Sequence, residues 1–179
     1  RDVRMLEVGI YSGGSLEMWR DYFGATCHIY GVDTEKDCKA YENDHTTVFI
    51  GDQADRTFWA EFKSKVPTID VLVDDGGHKA EQQIVTLEEM LLHLAPGGVY
   101  ICEDIHRSDN DFTAYLGGLV KSLNNMVRES EADTIIAMPF QSWIQSIHFY
   151  PHVVVIEKAE KPVGEFRYQK HGNQWRPFR

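Results

Sequence analysis

The 179-residue chain is short of cysteine, of positive charge and of long apolar runs. Its three cysteines, Cys27, Cys38 and Cys102, are odd in number and show no C-x-x-C spacing, which points to reduced thiols and a cytoplasmic protein. No stretch approaches the roughly 18 apolar residues that a membrane helix needs. No secretory signal opens the chain, and no internal repeat, low-complexity segment or interdomain linker interrupts it. Lys and Arg number 18 against 28 Asp and Glu, a net charge of −10. Nucleic-acid binders use a basic face to neutralise phosphates, so the acidic balance argues against that partner and against an anionic membrane surface. The length suits one domain with a proper core and is too short for two ordinary ones.

What is present is an alternation. Apolar, β-rich runs recur at Met5–Val8, His28–Val32, Thr47–Ile50, Ile69–Val73 and Val99–Cys102. Segments with helical spacing lie between them, at Leu16–Phe23, Cys38–Glu42, Phe58–Lys65 and Ala80–Leu94. Strand alternating with helix predicts an α/β fold with right-handed crossovers and a parallel sheet covered on both faces. In the longest helix, Ile84, Leu87, Leu91 and Leu94 form one sheet-facing stripe, and Pro96-Gly97-Gly98 breaks it before the next strand. Tyr115–Asn125 reads as a further helix. Ile144–Phe149 and Val153–Glu157 read as strands joined through Tyr150-Pro151-His152, an antiparallel hairpin. The domain is expected to span residues 1–158, followed by a basic, aromatic tail at 159–179 whose structure the sequence leaves open.

Chemistry-bearing residues fall at the predicted strand ends. Glu7-Val8-Gly9-Ile10-Tyr11-Ser12-Gly13-Gly14 follows the first strand and opens a helix. Glycines let the backbone turn tightly and approach a ligand, and a helix N-terminus offers free N–H groups to an anion. Asp33 ends the second strand, where an acidic residue about 20 positions past such a turn holds ribose hydroxyls; its alternative role is to cap the segment from Glu35. Asp52, with Gln53, ends the third strand, where an acidic or amide side chain can meet an adenine.

Strands four and five run into Asp74-Asp75-Gly76-Gly77-His78 and Glu103-Asp104-Ile105-His106. Neighbouring parallel strands bring their carboxyl ends together, so Asp74, Asp75, Glu103 and Asp104 are expected to converge. Like charges so placed repel unless a cation sits among them, and Mg²⁺ suits a few carboxylates plus waters and substrate oxygens. The plainer alternative is a set of helix caps and solvated loop carboxylates.

The order of Glu-x-Gly-x-x-x-Gly, an acidic end to strand two, Gly-Asp after strand three and a closing hairpin resembles the class I S-adenosylmethionine-dependent methyltransferases. The resemblance runs through about Glu157. It implies a Rossmann-like, seven-stranded, mostly parallel sheet with an antiparallel last strand and helices on both faces. It also implies that Glu7, Gly9, Tyr11, Gly13 and Ser15 surround the methionine part of S-adenosyl-L-methionine. Asp33 would then bind the ribose and Asp52 and Gln53 the adenine, with Asp74 on the cofactor side. Asp75-x-x-His78 followed by Glu103-Asp104 is similar to the magnesium-dependent sugar O-methyltransferases of macrolide biosynthesis (mycinamicin-type) and to related cephalosporin-biosynthesis methyltransferases. That likeness makes Asp75, Glu103 and Asp104 the Mg²⁺ ligands and His78 the general base. It implies a small-molecule acceptor bearing hydroxyl groups, with neither nucleic acid nor membrane as partner and with homo-oligomerisation left open. The helices that precede the first strand in such enzymes are expected to be missing here.

Two rivals stand beside this reading. A cofactor-binding fragment without catalysis would follow from the missing cap helices. A nicotinamide-dependent oxidoreductase would follow from the glycine turn, although Gly9-x-x-x-Gly13 departs from G-x-G-x-x-G. His106 is a candidate substrate residue or a plain loop residue, and Ser108–Asp111 a candidate mobile substrate loop. His93, His148, Trp19 and Phe23 read as structural residues.

Overall fold

A computed structural model describes residues 2–105, 110–123 and 140–162. Seven strands form one sheet: β1 (Arg4–Val8), β2 (His28–Asp33), β3 (Thr46–Ile50), β4 (Ile69–Asp74), β5 (Leu94–Cys102), β6 (Ile144–Tyr150) and β7 (Val153–Lys158). Among the described residues four α-helices join them: α1 (Gly14–Phe23), α2 (Arg56–Lys65), α3 (Ala80–Met90) and α4 (Asp111–Leu123). The spatial order is β3-β2-β1-β4-β5-β7-β6. β1 to β5 pair in parallel, and β7 runs antiparallel to both β5 and β6. This is the expected α/β architecture, with β7 as the one reversed strand.

Both faces of the sheet are covered, as the unbroken apolar runs require. Along β1, Met5 joins one core cluster and Leu6 and Val8 the other, since successive side chains point to opposite faces. The larger cluster packs Leu72 and Tyr100 of the sheet against Trp59 and Phe62 of α2, Leu87 of α3 and Phe112 and Leu116 of α4. The smaller one places Ile29, Val48 and Val73 under Leu16 of α1. α2, α3 and α4 therefore share one face, and α1 covers the other. Buried Lys158 holds β7 in place: its ammonium donates to the carbonyls of Leu92 (2.8 Å) and Leu94 (2.6 Å) and lies 5.0 Å from the centre of the Trp143 ring.

Several element bounds differ from the sequence expectation. Cys38–Glu42 is not an α-helix but part of a 3-10 segment, Lys36–Tyr41. The helix from Ala80 stops at Met90, passes through a 3-10 turn at Leu91–His93, and Pro96-Gly97-Gly98 lies within β5 rather than ahead of it. α4 starts at Asp111, four residues earlier than expected, because Asn110 supplies a cap: its Oδ1 accepts from the Phe112 amide at 2.8 Å. Asp111 is thus helical rather than part of a loop. His106 and the residues at 107–109 lie outside the described residues, as do 124–139 and the tail from 163. Ala159 is 3% exposed and its amide donates to Trp143 O at 2.7 Å, so the packed body continues past Lys158.

Candidate active site

Register brings the site together. Val8 of β1 is level with Val32 and Asp74, and Asp74 is level with Cys102. The ladder then continues one step past the strands: Gly9 N donates to Val32 O (2.8 Å), Asp75 N to Val8 O (3.0 Å) and Glu103 N to Asp74 O (2.9 Å). Gly9, Asp75 and Glu103 therefore leave the carboxyl edge side by side. β1 is where the chain's crossovers reverse direction, outward to β2 and β3 and then back to β4, and open α/β sheets hold ligands at such a point.

The glycine turn is shaped as much by the protein as by any ligand. Gly9 has φ +86°, and a Cβ there would stand 2.2 Å from the carbonyl oxygen of Asp75. Gly13, at φ +74° before α1, would meet the Tyr41 ring at 2.7 Å. Between them Tyr11 adopts φ +42° with its side chain 87% exposed. Asp33 braces this turn. One carboxylate oxygen accepts from Ile10 N (3.1 Å) and Tyr11 N (3.0 Å), and the other accepts from Glu35 N (2.9 Å). Asp33 therefore braces this turn rather than capping the next segment, whose N-cap is Glu35 with no side-chain cap bond, and a lone pair remains for a hydroxyl donor. Asp52 is exposed at the end of β3, with Oδ1 accepting from Ala54 N at 2.8 Å.

Glu7 is 3% exposed, and its Oε2 has no hydrogen-bond partner among the described residues. Burial raises its pKa to about 7; Ser15 and Trp19 oppose the shift, while the charges of Asp75 and Glu103 add to it. A buried carboxylate without a cation is costly, so this position suits a ligand that brings a positive group, such as the ammonium of an amino acid.

Two residues expected to contact a cofactor directly are turned inward. Asp74 is 1% exposed, and its two oxygens accept from Gln53 Nε2 (2.9 Å) and Tyr100 Oη (2.9 Å). Burial raises its pKa to about 6 against the pull of those bonds. Gln53 is 4% exposed, and its amide is engaged at both ends. Both lie beneath the site, because the alternation along β4 sends Asp74 to the α3 face.

Asp75, His78 and Asp104 come together above this layer, with one potential ligand atom from each lying within 4.8 Å of the others. His78 Nε2 is 4.0 Å from both Asp75 Oδ1 and Asp104 Oδ2, and Nδ1 is buried. Burial raises the pKa of Asp75, with His78 opposing and Asp104 adding to the shift. Burial also raises that of Glu103, reinforced by Asp75 and Asp104. Mutual repulsion of this kind is what a divalent cation relieves, and the carboxylate oxygens of Asp75 and Asp104 fit such an ion, with the His78 imidazole beside them. Glu103 stands beside the group in sequence but outside the 4.8 Å cluster, and His78 stands inside it. His78 and Asp104 have φ of +53° and +52°. Such left-handed backbone is uncommon for non-glycine residues, and it clusters at functional sites.

The fold agrees with the chain's similarity to known proteins. Residues 6–105 match the methyltransferase domain family. The chain belongs to that family. Demethylmacrocin O-methyltransferase of Streptomyces fradiae is 30% identical over 191 residues, covering 91% of this chain and 46% of the relative. A tetracenomycin-pathway enzyme of Streptomyces olivaceus, 8-demethyl-8-alpha-L-rhamnosyl tetracenomycin-C 2'-O-methyltransferase, is 29% identical over 177 residues, covering 88% and 46%. The chain thus spans about half the length of the curated relatives it matches. In structure it is similar to MycE, a methyltransferase of the mycinamycin pathway solved with Mg and SAH, with a TM-score of 0.80 at 23% identity, covering 93% of this chain and 47% of MycE. That likeness establishes the Rossmann-like methyltransferase fold.

Tyr100 and His152 escaped the reading of the sequence. Tyr100 is an apolar-run residue whose hydroxyl reaches Asp74 only across two strands. His152, at φ +63° in the β6–β7 turn, accepts at its carbonyl from Ile105 N (3.0 Å) and so steadies the segment after Asp104. A polar tip inside an apolar strand was the only signal for the first, and the second had none.

Proposed function

We propose that the chain is an S-adenosylmethionine-dependent, Mg²⁺-assisted O-methyltransferase domain that acts on a hydroxyl of a small molecule, a sugar of a glycosylated natural product being the class that fits the relatives. The observation that carries this is the Asp75–His78–Asp104 cluster set beside the buried carboxylate of Glu7, whose Oε2 has no hydrogen-bond partner among the described residues. The names of the relatives support it: one methylates demethylmacrocin, another a rhamnosyl tetracenomycin, and MycE was solved with Mg and SAH. The domain expected at residues 1–158 would on this reading run at least through Ala159, which is buried and bonded to Trp143.

In this reading Glu7 takes the ammonium of the methionine part, with Gly9, Tyr11, Gly13 and Ser15 around it. Asp33 takes the ribose hydroxyls and Asp52 lies towards the adenine. Asp75, Glu103 and Asp104 hold the metal. Bound S-adenosylmethionine supplies an electrophilic methyl group, and bound Mg²⁺ lowers the pKa of an alcohol. His78 accepts the acceptor's proton at Nε2, which requires that Nδ1 carry the ring proton. Direct displacement demands an in-line approach, and the rigid strand ends provide fixed positions for both reactants.

Turnover of a panel of sugar diols with methyl-labelled S-adenosylmethionine, with and without chelator, tests the reading. Methyl ether formation that chelation abolishes and Mg²⁺ restores is expected. Full turnover in excess chelator would remove the metal from the proposal, and displacement of S-adenosylhomocysteine by NAD would remove the cofactor.

A further inference from the structure

Gln53 joins parts of the site that are far apart in sequence. Its Nε2 donates to Asp74 Oδ1 (2.9 Å) and Thr86 Oγ1 (3.1 Å), and its Oε1 accepts from the backbone N–H of Gly77 at 2.7 Å. Trp59 Nε1 donates to its main-chain carbonyl at 2.8 Å, which fixes Gln53 from the α2 side. The loop fits tightly over this amide: a Cβ on Gly76 would stand 2.0 Å from Gln53 Oε1. Gly77 immediately precedes His78, and Gln53 immediately follows Asp52.

We propose that Gln53 is a positioning residue that couples the adenosine end of the site to the metal-and-base loop. The inference rests on the function proposed above. The Gly76–His78 segment has two glycines and ends in a residue at φ +53°, so its conformation needs an external constraint. The constraint here is a buried amide whose other end is anchored on Asp74, itself held by Tyr100. A ligand that settles the Asp52–Gln53 turn therefore settles the Gly77 amide, and with it the placement of His78 against Asp75 and Asp104. The consequence is linkage: S-adenosylhomocysteine and a divalent cation should each tighten the other's binding by the same factor. Residues behind metal ligands commonly change metal affinity by roughly 10- to 100-fold when removed.

The test uses Mn²⁺ as a paramagnetic probe, titrated into the wild-type chain with and without saturating S-adenosylhomocysteine. Tighter Mn²⁺ binding with the nucleoside present is expected. Gln53→Met, of similar volume but without any of the three side-chain hydrogen bonds, should weaken Mn²⁺ binding about 10-fold or more and abolish the difference. Thr86→Val removes one partner of Gln53 but leaves its bonds to Asp74 and Gly77, so it should lower stability yet keep the difference. Loss of the difference in Thr86→Val as well would reduce Gln53 to a general stability role and overturn the proposal. A folded Gln53→Met protein with wild-type Mn²⁺ affinity and wild-type linkage would also overturn it. In the wild-type chain, exchange of the Gly77 amide should slow when S-adenosylhomocysteine is added without metal. Unchanged exchange overturns the proposal even where Gln53→Met does not fold. Failure of the wild-type chain to bind either probe would instead defeat the functional reading on which the proposal rests.

Discussion

The carbonyl oxygen of Asp75 occupies the space beside Gly9 so closely that a methyl group on Gly9 would lie 2.2 Å from it. The two loops at the centre of the sheet edge touch backbone to backbone, and the glycine is demanded by that contact. Gly9→Ala must therefore push the Asp75 loop outward, besides straining a backbone at φ +86°. We expect loss of both S-adenosylhomocysteine and Mn²⁺ binding, with Tm lower by several degrees. Retention of either ligand at wild-type affinity in calorimetry would show that the loops move independently.

Asp33 braces the glycine turn and is proposed to take the ribose hydroxyls, and mutation should separate the two roles. Asp33→Ala removes the acceptor for Ile10 N, Tyr11 N and Glu35 N, and so lowers Tm as well as nucleoside affinity. Asp33→Asn keeps one carbonyl oxygen and should fold better while still losing affinity. A charge-assisted bond contributes about 1.5–3 kcal/mol, or roughly 10- to 150-fold in binding. Unchanged affinity for S-adenosylhomocysteine in Asp33→Asn would leave Asp33 as a loop brace alone.

Glu7 should make binding depend on pH. Its folded pKa of about 7 lies above the ordinary glutamate value of 4.5, so between the two the folded chain holds a proton that the unfolded chain releases. Stability from this group is therefore full below about pH 4.5, falls as pH rises towards 7, and stays low above it. A cationic ligand group favours the ionised carboxylate, so S-adenosylhomocysteine binding near pH 6 should release a proton and near pH 8 release none. Calorimetry in buffers of different ionisation enthalpy reads this directly. Glu7→Gln should raise the Tm of the ligand-free chain at pH 8 by about 2–4 °C and weaken nucleoside binding. Equal proton release at both pH values would detach Glu7 from the ligand.

His78 and Asp104 should fail in different ways. Asp104→Asn, nearly isosteric, loses charge and should lose Mn²⁺ affinity with little change in Tm, since Asp104 is exposed. His78→Ala should lower kcat by roughly 10²- to 10⁴-fold while nucleoside and metal binding stay close to wild type. If His78→Ala instead loses metal and recovers its rate at saturating Mg²⁺, the 4.0 Å approaches of Nε2 to Asp75 and Asp104 belong to a ligand rather than to a base.

The sequence by itself determined the layer order and the edge at which the chemistry lies. Unbroken apolar runs at Val71–Val73 and Val99–Ile101 require cover on both faces, and residues that directly follow strands in a parallel sheet must share one edge. Gly9, Asp33, Asp75 and Glu103 were legible for that reason alone. Only the tertiary structure decided which way each side chain faces and what it meets there. Asp74 and Asp75 are neighbours in sequence, yet the pleat sends the first into a buried bond with Tyr100 while the second joins His78 and Asp104. Gln53 lies beside Asp52 but points under the sheet edge towards Gly77, 24 residues away. Such pairings depend on strand register and on loops crossing between strands, and neither quantity is written in local spacing.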